Sequence, residues 1–217
     1  MAERAPRRRV PTDERTTGIV VAGGRSTRFG DREKALAELD GQPMLYHAVA
    51  TLGDFTDSVV VNCRPDQQAA FSDGLEPLDT DIRWALDETP DEGPLAGLAT
   101  ALTAVDTERA VALGCDMPFA DTDAVSGLLA RLGDSDAVVP RTDGGPEPLH
   151  AAYCVEPTLA TARAALADGE RSLRALLDRL AVDYVAVDAD GTLPVRSLTS
   201  VDTGERLQEI KRERGRD

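Results

Sequence analysis

Short apolar, β-branched runs alternate along this chain with stretches whose apolar positions recur at helical spacing. Residues 17–22, 57–62, 82–86 and 109–114 are of the first kind, apolar almost throughout, as parallel strands covered on both faces are. Between them, residues 43–52, 65–71 and 94–105 carry helical spacing, and Pro94 suits a first helical turn, where a missing N–H costs little. Asp121 is placed to cap a helix running to Leu132, and residues 136–140 read as a further strand. Beyond this point the alternation is less clean: 148–155 predicts a strand, 157–167 and 172–180 helices, and 182–187 and 195–201 extended chain. Elements of these lengths in this order predict one three-layer α/β/α sandwich, with a Rossmann-like, mostly parallel sheet and an antiparallel portion in the C-terminal half. A single domain over 17–210 suits the 217 residues. Residues 1–16, with Pro6, Arg7-Arg8-Arg9 and Pro11 and no apolar period, read as a disordered basic arm, an interaction tail being the alternative, and 211–217 as a frayed tail.

Charge narrows the partners. Asp and Glu outnumber Lys and Arg 39 to 24, a formal charge of −15, which argues against a general nucleic-acid or anionic-membrane surface. Lysine occurs only at 34 and 211, arginine taking its place elsewhere; such an acidic balance suits a cytosol of high salt, a GC-rich genome being the alternative source of the arginine. A polyanion repels a triphosphate, but at about 1 M ionic strength the Debye length is about 3 Å, so distant carboxylates are screened while contact pairs persist. Cys63, Cys115 and Cys154 are odd in number, widely spaced and outside any C-x-x-C pair, which reads as reduced thiols. With no run of about 18 apolar residues and no secretory apolar region after Met1, a cytoplasmic protein without membrane span or export signal is expected.

Candidate chemistry gathers where the first strand ends. Val21-Ala22-Gly23-Gly24-Arg25-Ser26-Thr27-Arg28-Phe29-Gly30, followed by Lys34, joins a buried strand to a glycine-rich, cationic loop. Glycines let successive N–H groups turn toward an anion, and Arg28 and Lys34 add charge that the backbone lacks. The two glycines alone would also serve a tight strand-to-helix turn; the nearby cations favour a triphosphate. The loop matches neither G-x-x-x-x-G-K-[ST] nor G-x-G-x-x-G, which disfavours a P-loop ATPase and a dinucleotide-binding dehydrogenase. Cys115-Asp116-Met117-Pro118 leaves the strand at 109–114 at its carboxyl end, the edge where open α/β sheets bind ligands. His47 reads as a helix-surface or core-edge residue and Cys115 as a packing residue. No Ser-His-Asp or Cys-His arrangement can be read.

Ala22-Gly23-Gly24-Arg25-Ser26-Thr27-Arg28-Phe29-Gly30 with Lys34-Ala35-Leu36 resembles the signature of the nucleotidyltransferase superfamily, specifically the molybdenum cofactor guanylyltransferases. Gly93-Pro94-Leu95-Ala96-Gly97-Leu98, preceded by Asp87, and Cys115-Asp116-Met117-Pro118 are similar to two further motifs of that family in order and spacing. Pro146-Glu147-Pro148-Leu149-His150-Ala151-Ala152-Tyr153 and Val201-Asp202-Thr203 resemble its later and weaker motifs, so the likeness covers about residues 17–207.

The resemblance implies GTP lying across the carboxyl ends of the strands. It assigns Ala22, Gly23 and Gly24 to backbone approach, Arg28 and Lys34 to the phosphates, and Asp87, Gly93, Pro94, Leu95 and Gly97 to the nucleotide. Arg28, Lys34 and Asp116 would be catalytic. Asp116 would hold Mg²⁺, a hard cation that needs only one or two protein carboxylates when phosphates supply other ligands; the alternative for Asp116 is capping its own turn. A Cβ at Gly23 would crowd the nucleotide, and Gly rather than the Ala of cytidylyl-transferring relatives favours GTP over CTP. Asp202 stands where the family has Asn; capping the final helix is its expected role, joining the metal shell the alternative. His150 lies in a substrate-side motif, where it would either contact ligand or pack.

The implied reaction passes GMP from GTP to the terminal phosphate of molybdopterin and releases pyrophosphate. Transient contacts with proteins that carry or receive the cofactor are also implied, without nucleic acid or membrane. The rivals are cytidylyl transfer to the same pterin, guanylyl transfer to cobinamide phosphate or phospholactate, nucleotidyl transfer to a sugar phosphate, and a non-catalytic nucleotide-binding or delivery protein. Intact Lys34 and Asp116 count against the last. On the composition alone, withdrawing molar KCl is expected to abolish both the folded circular-dichroism signal and activity; full retention in dilute buffer would contradict the salt reading.

Overall fold

Each apolar strand sends successive side chains to opposite faces, and the sheet is covered on both. The computed structural model describes residues 15–25, 29, 33–89, 91–187 and 193–214. Its elements are β1 (Thr16–Val21), a 3₁₀ turn (Lys34–Leu36), β2 (Glu38–Leu39), β3 (Gln42–Pro43), α1 (Met44–Gly53), β4 (Ser58–Cys63), α2 (Gln68–Leu75) and β5 (Ile82–Leu86). Then follow α3 (Pro94–Thr103), β6 (Arg109–Gly114), α4 (Thr122–Ala130), β7 (Ala137–Thr142), β8 (Gly145–Pro146) and β9 (His150–Cys154). The chain continues through α5 (Val155–Ala167), α6 (Leu173–Leu177), β10 (Val182–Ala186), a second 3₁₀ turn (Val195–Leu198) and α7 (Gly204–Arg214).

The main sheet runs β10-β7-β9-β6-β1-β4-β5, with β8 beside β7. β6, β1, β4 and β5 are mutually parallel, β9 is antiparallel to both β6 and β7, and β10 is parallel to β7. This is the mostly parallel sheet with an antiparallel portion in the C-terminal half that the sequence predicts. Val20, Val59, Val61, Val111 and Leu113 pack against α1, α2 and α4, while Ile19, Val60, Ala110 and Ala112 pack against α3, α5 and α6.

Two elements differ from expectation. The run at 195–201, expected to be extended, forms the 3₁₀ turn Val195–Leu198; Ser197 turns inward there and its Oγ accepts from the Asp121 N–H at 2.9 Å. Among the described residues the run pairs with no strand, and the tight turn buries Leu198 and Ser197 while leaving Val195 exposed. The small hairpin β2–β3 was not read from the sequence, although Asp40-Gly41 is the two-residue signal for it: both adopt positive φ, 52° and 79°. Asp121 does cap α4, accepting from the Ala124 N–H, and Pro94 does open α3. β1 begins at Thr16, and α7 runs past Ile210 to Arg214, whose guanidinium pairs with Asp40 at 2.7 Å. Residues 1–14 of the expected arm and 215–217 of the expected tail lie outside the described residues.

His150 opens β9 and is fully buried, and it does not line the cleft at the carboxyl ends of the strands. Its Nε2 lies 3.3 Å from Ser197 Oγ. Ser197 Oγ, which also accepts from the Asp121 N–H, is thus the partner of one ring nitrogen, while Nδ1 is buried with no hydrogen-bond partner among the described residues. Burial holds the imidazole neutral and lowers its pKa to about 4, against a smaller opposing influence of Asp121. The unfolded chain therefore binds the extra proton first, and the stability that this group confers is complete above about pH 6.5 and lost as pH falls toward 4. Denaturant titrations across that window should show about 3 kcal/mol of stability loss assignable to His150, absent from His150→Gln.

Candidate active site

At the carboxyl ends of β1, β4, β5 and β6 lies a cleft of about 380 Å³. It collects most of the residues that the sequence singled out. Ala22, Gly23 and Gly24 leave β1 along one wall, Asp87 follows β5, Gly93, Pro94 and Gly97 open α3, and Asp116 and Lys34 meet at the end of the cleft. Leu95 is brought elsewhere. Its side chain is buried among the apolar residues of α3, α5 and α6, and its N–H donates to the Arg171 carbonyl. Arg28 and Gly30 lie outside the described residues.

Lys34 and Asp116, 82 positions apart, are joined directly: Nζ donates to Asp116 Oδ2 at 2.6 Å and to Asp202 Oδ1 at 3.1 Å. Both Lys34 and Asp116 are only 17% exposed. Burial works against the charged ammonium, but the charge and hydrogen bond of Asp116 outweigh it, and the pKa of Lys34 is raised. Asp202 is also opposed by burial and is nonetheless lowered, chiefly by its bond to Lys34. Glu147 is the third carboxylate nearby, and burial, then the charges of Asp116 and Asp202, raise its pKa.

Local backbone explains how these groups converge. Asp116 sits in the turn after β6, and Gly114 gives it room, since a Cβ there would lie 2.5 Å from Asp116 Oδ1. The carbonyl of Asp116 accepts from the Val201 N–H at 2.8 Å, which pins the segment before α7 against the turn and swings Asp202 onto Lys34. Asp202 therefore does not cap α7, as was expected. Thr203 does, its Oγ1 accepting from the Arg206 N–H at 3.2 Å.

The glycines face a buried polar pair that sequence reasoning did not find. Asn62, fully buried at the end of β4, donates from Nδ2 to Asp87 Oδ1 at 2.7 Å and to the Ala85 carbonyl at 3.1 Å. A Cβ on Gly23 would overlap Asp87 Oδ2, and one on Gly97 would lie 2.7 Å from Asn62 Oδ1. Gly23 is thus constrained first by Asp87 and only then by a ligand. Burial raises the pKa of Asp87, with the Asn62 bond pulling the other way. Arg64, two residues further on, was missed as well. The signal was present in both cases: polar side chains at the carboxyl end of an apolar parallel strand. At the cleft mouth Arg25 pairs with Asp91 through Nε at 2.6 and 2.7 Å.

Among the described residues no three or more His, Cys, Asp or Glu side chains form a metal-holding group. What the cleft offers is oxygen donors from Asp116 and Asp202 beside an ammonium and a glycine loop. Such a set suits a hard cation that arrives with polyphosphate and takes its remaining ligands from phosphate and water.

The MobA-like NTP transferase domain family matches residues 18–185 of this chain. A probable molybdenum cofactor guanylyltransferase of Natronomonas pharaonis is 41% identical over 201 residues, covering 90% of this chain and 96% of that one. One of the same description from Haloferax mediterranei is 38% identical over 180 residues, covering 83% and 80%. The crystal structure of molybdopterin-guanine dinucleotide biosynthesis protein A from Archaeoglobus fulgidus superposes with a TM-score of 0.74 at 24% identity, over 93% of this chain and all of that one, and shares its fold.

If the obstacle at Gly23 is Asp87, then Gly23→Ala should destabilise the protein by about 1–3 kcal/mol through overpacking, and Asp87→Ala in the same chain should recover most of that loss. A thermal-melt double-mutant cycle showing simple additivity would refute the contact.

Proposed function

The chain belongs to the MobA-like NTP transferase family, a nucleotidyltransferase of molybdenum cofactor biosynthesis, and we propose that it moves GMP from GTP to the terminal phosphate of molybdopterin, releasing pyrophosphate. The observation that carries this reading is the junction of Lys34 with Asp116 and Asp202 at the end of a glycine-lined cleft. The backbone at Gly23 and Gly24 receives the phosphates, and Lys34, shared between two carboxylates, is placed to exchange one of them for a phosphate oxygen. Arg28, on the same loop, adds a second cation in this reading.

Asp116, flanked by Asp202, is the group to hold Mg²⁺. When bound, the ion neutralises phosphate charge and favours departure of pyrophosphate. The chain's own residues do the rest by alignment: the loop and Lys34 hold the α-phosphate open on the side away from the leaving group, and an acceptor phosphate oxygen attacks it in line. No covalent enzyme intermediate is required. Cys115, the thiol nearest Asp116 in sequence, is pushed up to about 12 by burial and then by the charge of Asp116, so it stays protonated and is no nucleophile. Beside Gly23, the Asp87 carboxylate offers acceptors to adjacent N–H donors of the kind guanine carries, which supports GTP over CTP.

Transient contacts with proteins that carry or receive the cofactor, and a cytoplasmic location, complete the proposal; no described helix is long and apolar enough to cross a membrane.

A thermal-shift panel of GTP, CTP, ATP and UTP with Mg²⁺ in high KCl should show selective stabilisation by GTP, about 2.7 kcal/mol at a concentration 100 times Kd. Selectivity for CTP would overturn the guanylyl assignment. Lys34→Ala and Asp116→Ala should each lose about 3 kcal/mol of transition-state stabilisation, by analogy with removal of one oxyanion donor. Multiple-turnover pyrophosphate release, measured with molybdopterin as acceptor, is the readout; near-wild-type turnover by either variant contradicts its role, and no release by the wild type favours a binding protein.

A further inference from the structure

Arg64 is a cation for which the reading above has no task. It follows β4 directly and is only 7% exposed, a costly place for a charge unless it is well paired. Its Nη1 donates to the carbonyl oxygens of both Gly23, at 3.0 Å, and Gly24, at 3.2 Å. Nη2 donates to Glu33 Oε1 at 2.7 Å and Nε to Asp66 Oδ1 at 3.2 Å. Gln67 closes the network, donating to Glu33 Oε2 at 2.8 Å while its Oε1 accepts the Arg64 N–H at 2.9 Å.

A trans peptide points its carbonyl and the following N–H in opposite directions, and the described residues contain no cis bond. With the Gly23 and Gly24 carbonyls turned onto Arg64, the N–H groups of Gly24 and Arg25 face the other way. Gly23, Gly24 and Arg25 line the cleft and Arg64 does not, so the other way is into the cleft. Two consecutive N–H groups presented together are an anion-binding arrangement. The same guanidinium grips Glu33, whose neighbour Lys34 supplies the ammonium at the end of the cleft. One buried cation thus ties the donor-bearing peptides to the root of Lys34.

We propose that Arg64 is a positioning residue for the triphosphate: it selects the face that the glycine-loop peptides present and sets their spacing from Lys34. This rests on the reading of the cleft as a nucleotide site. Arginine is required because a planar fork can serve two carbonyls and a carboxylate at once, whereas an ammonium is a point charge on a flexible stem.

The test is an affinity ladder of guanosine, GMP, GDP and GTP with Mg²⁺ in high KCl, measured by calorimetry on wild type, Arg64→Gln and Arg64→Lys. Wild type should tighten along the series. Both variants should bind guanosine within about twofold of wild type yet lose about tenfold or more of the gain from guanosine to GTP, with a matching rise in KM for GTP and kcat changed less than about threefold. A variant that keeps the wild-type gain overturns the proposal. So does one that loses guanosine and GTP affinity in equal proportion, as a purely structural defect would. A wild type without any gain along the series refutes the nucleotide reading itself, and the positioning role with it. Should Arg64→Gln not fold, Glu33→Gln carries the test: it leaves the two carbonyl bonds and loosens the link to Lys34, so a smaller loss at GTP is expected, and an unchanged ladder overturns the link.

Discussion

Parallel pairing of β1 between β4 and β6 is the constraint on which the cleft depends. In the register, Val21 stands opposite Asn62 on one side and Gly114 on the other, so three strand ends lie level. The glycine loop, the Asn62 to Arg64 segment and Asp116 all leave the sheet at that level, however far apart they lie along the chain. An antiparallel neighbour would send its carboxyl end to the opposite edge. β9 shows the complement: running antiparallel to β6, it contributes its beginning, and Glu147 and Leu149 arrive at the same edge. A slip of one residue would turn every buried valine of a strand to the wrong helix layer, so core packing protects the register, and with it the site.

Charge is managed by contact within this strongly acidic chain. Lys34 is shared by two carboxylates, and Arg64 by two carbonyls and the carboxylates of Glu33 and Asp66. Partners at 2.6 to 3.2 Å are in direct contact, at separations comparable to the Debye length of about 3 Å in 1 M salt, so these pairs persist where more distant carboxylates are screened. In the proposed reading, the cleft would meet an anionic ligand through a few directed donors, with no need for a broadly positive surface. The same logic accounts for Asp202, which takes up the second side of Lys34 where the resembling family has Asn.

Much of the fold was legible because each strand is an apolar run bounded by turn residues, and because Pro94 and Asp121 mark helix starts by their own chemistry. The antiparallel portion of the C-terminal half was also anticipated. The run at 195–201 was misread because β-branched composition alone does not say whether a partner strand is available. Of the site, Gly23, Gly24, Lys34, Asp87 and Asp116 were legible from motif and position, and Leu95 was carried along by the motif although its helix face turns it into the core. Asn62 and Arg64 stand out along the chain only as polar residues at the end of an apolar strand; that they hold Asp87 and the glycine loop shows only once those segments pack against them.

By itself, the sequence determined the layered α/β architecture, the strand edge at which a ligand would sit, and the glycines, lysine and carboxylate gathered there. These follow from local rules: side-chain period, turn chemistry and the direction of parallel strands. Only the tertiary structure decided that Lys34 bonds Asp116 and Asp202, that a side chain at Gly23 would meet Asp87, and that Arg64 bonds the carbonyls of Gly23 and Gly24. Each of these is a contact between segments distant along the chain, and its distance is set by how strands and helices pack in three dimensions, which no local pattern encodes.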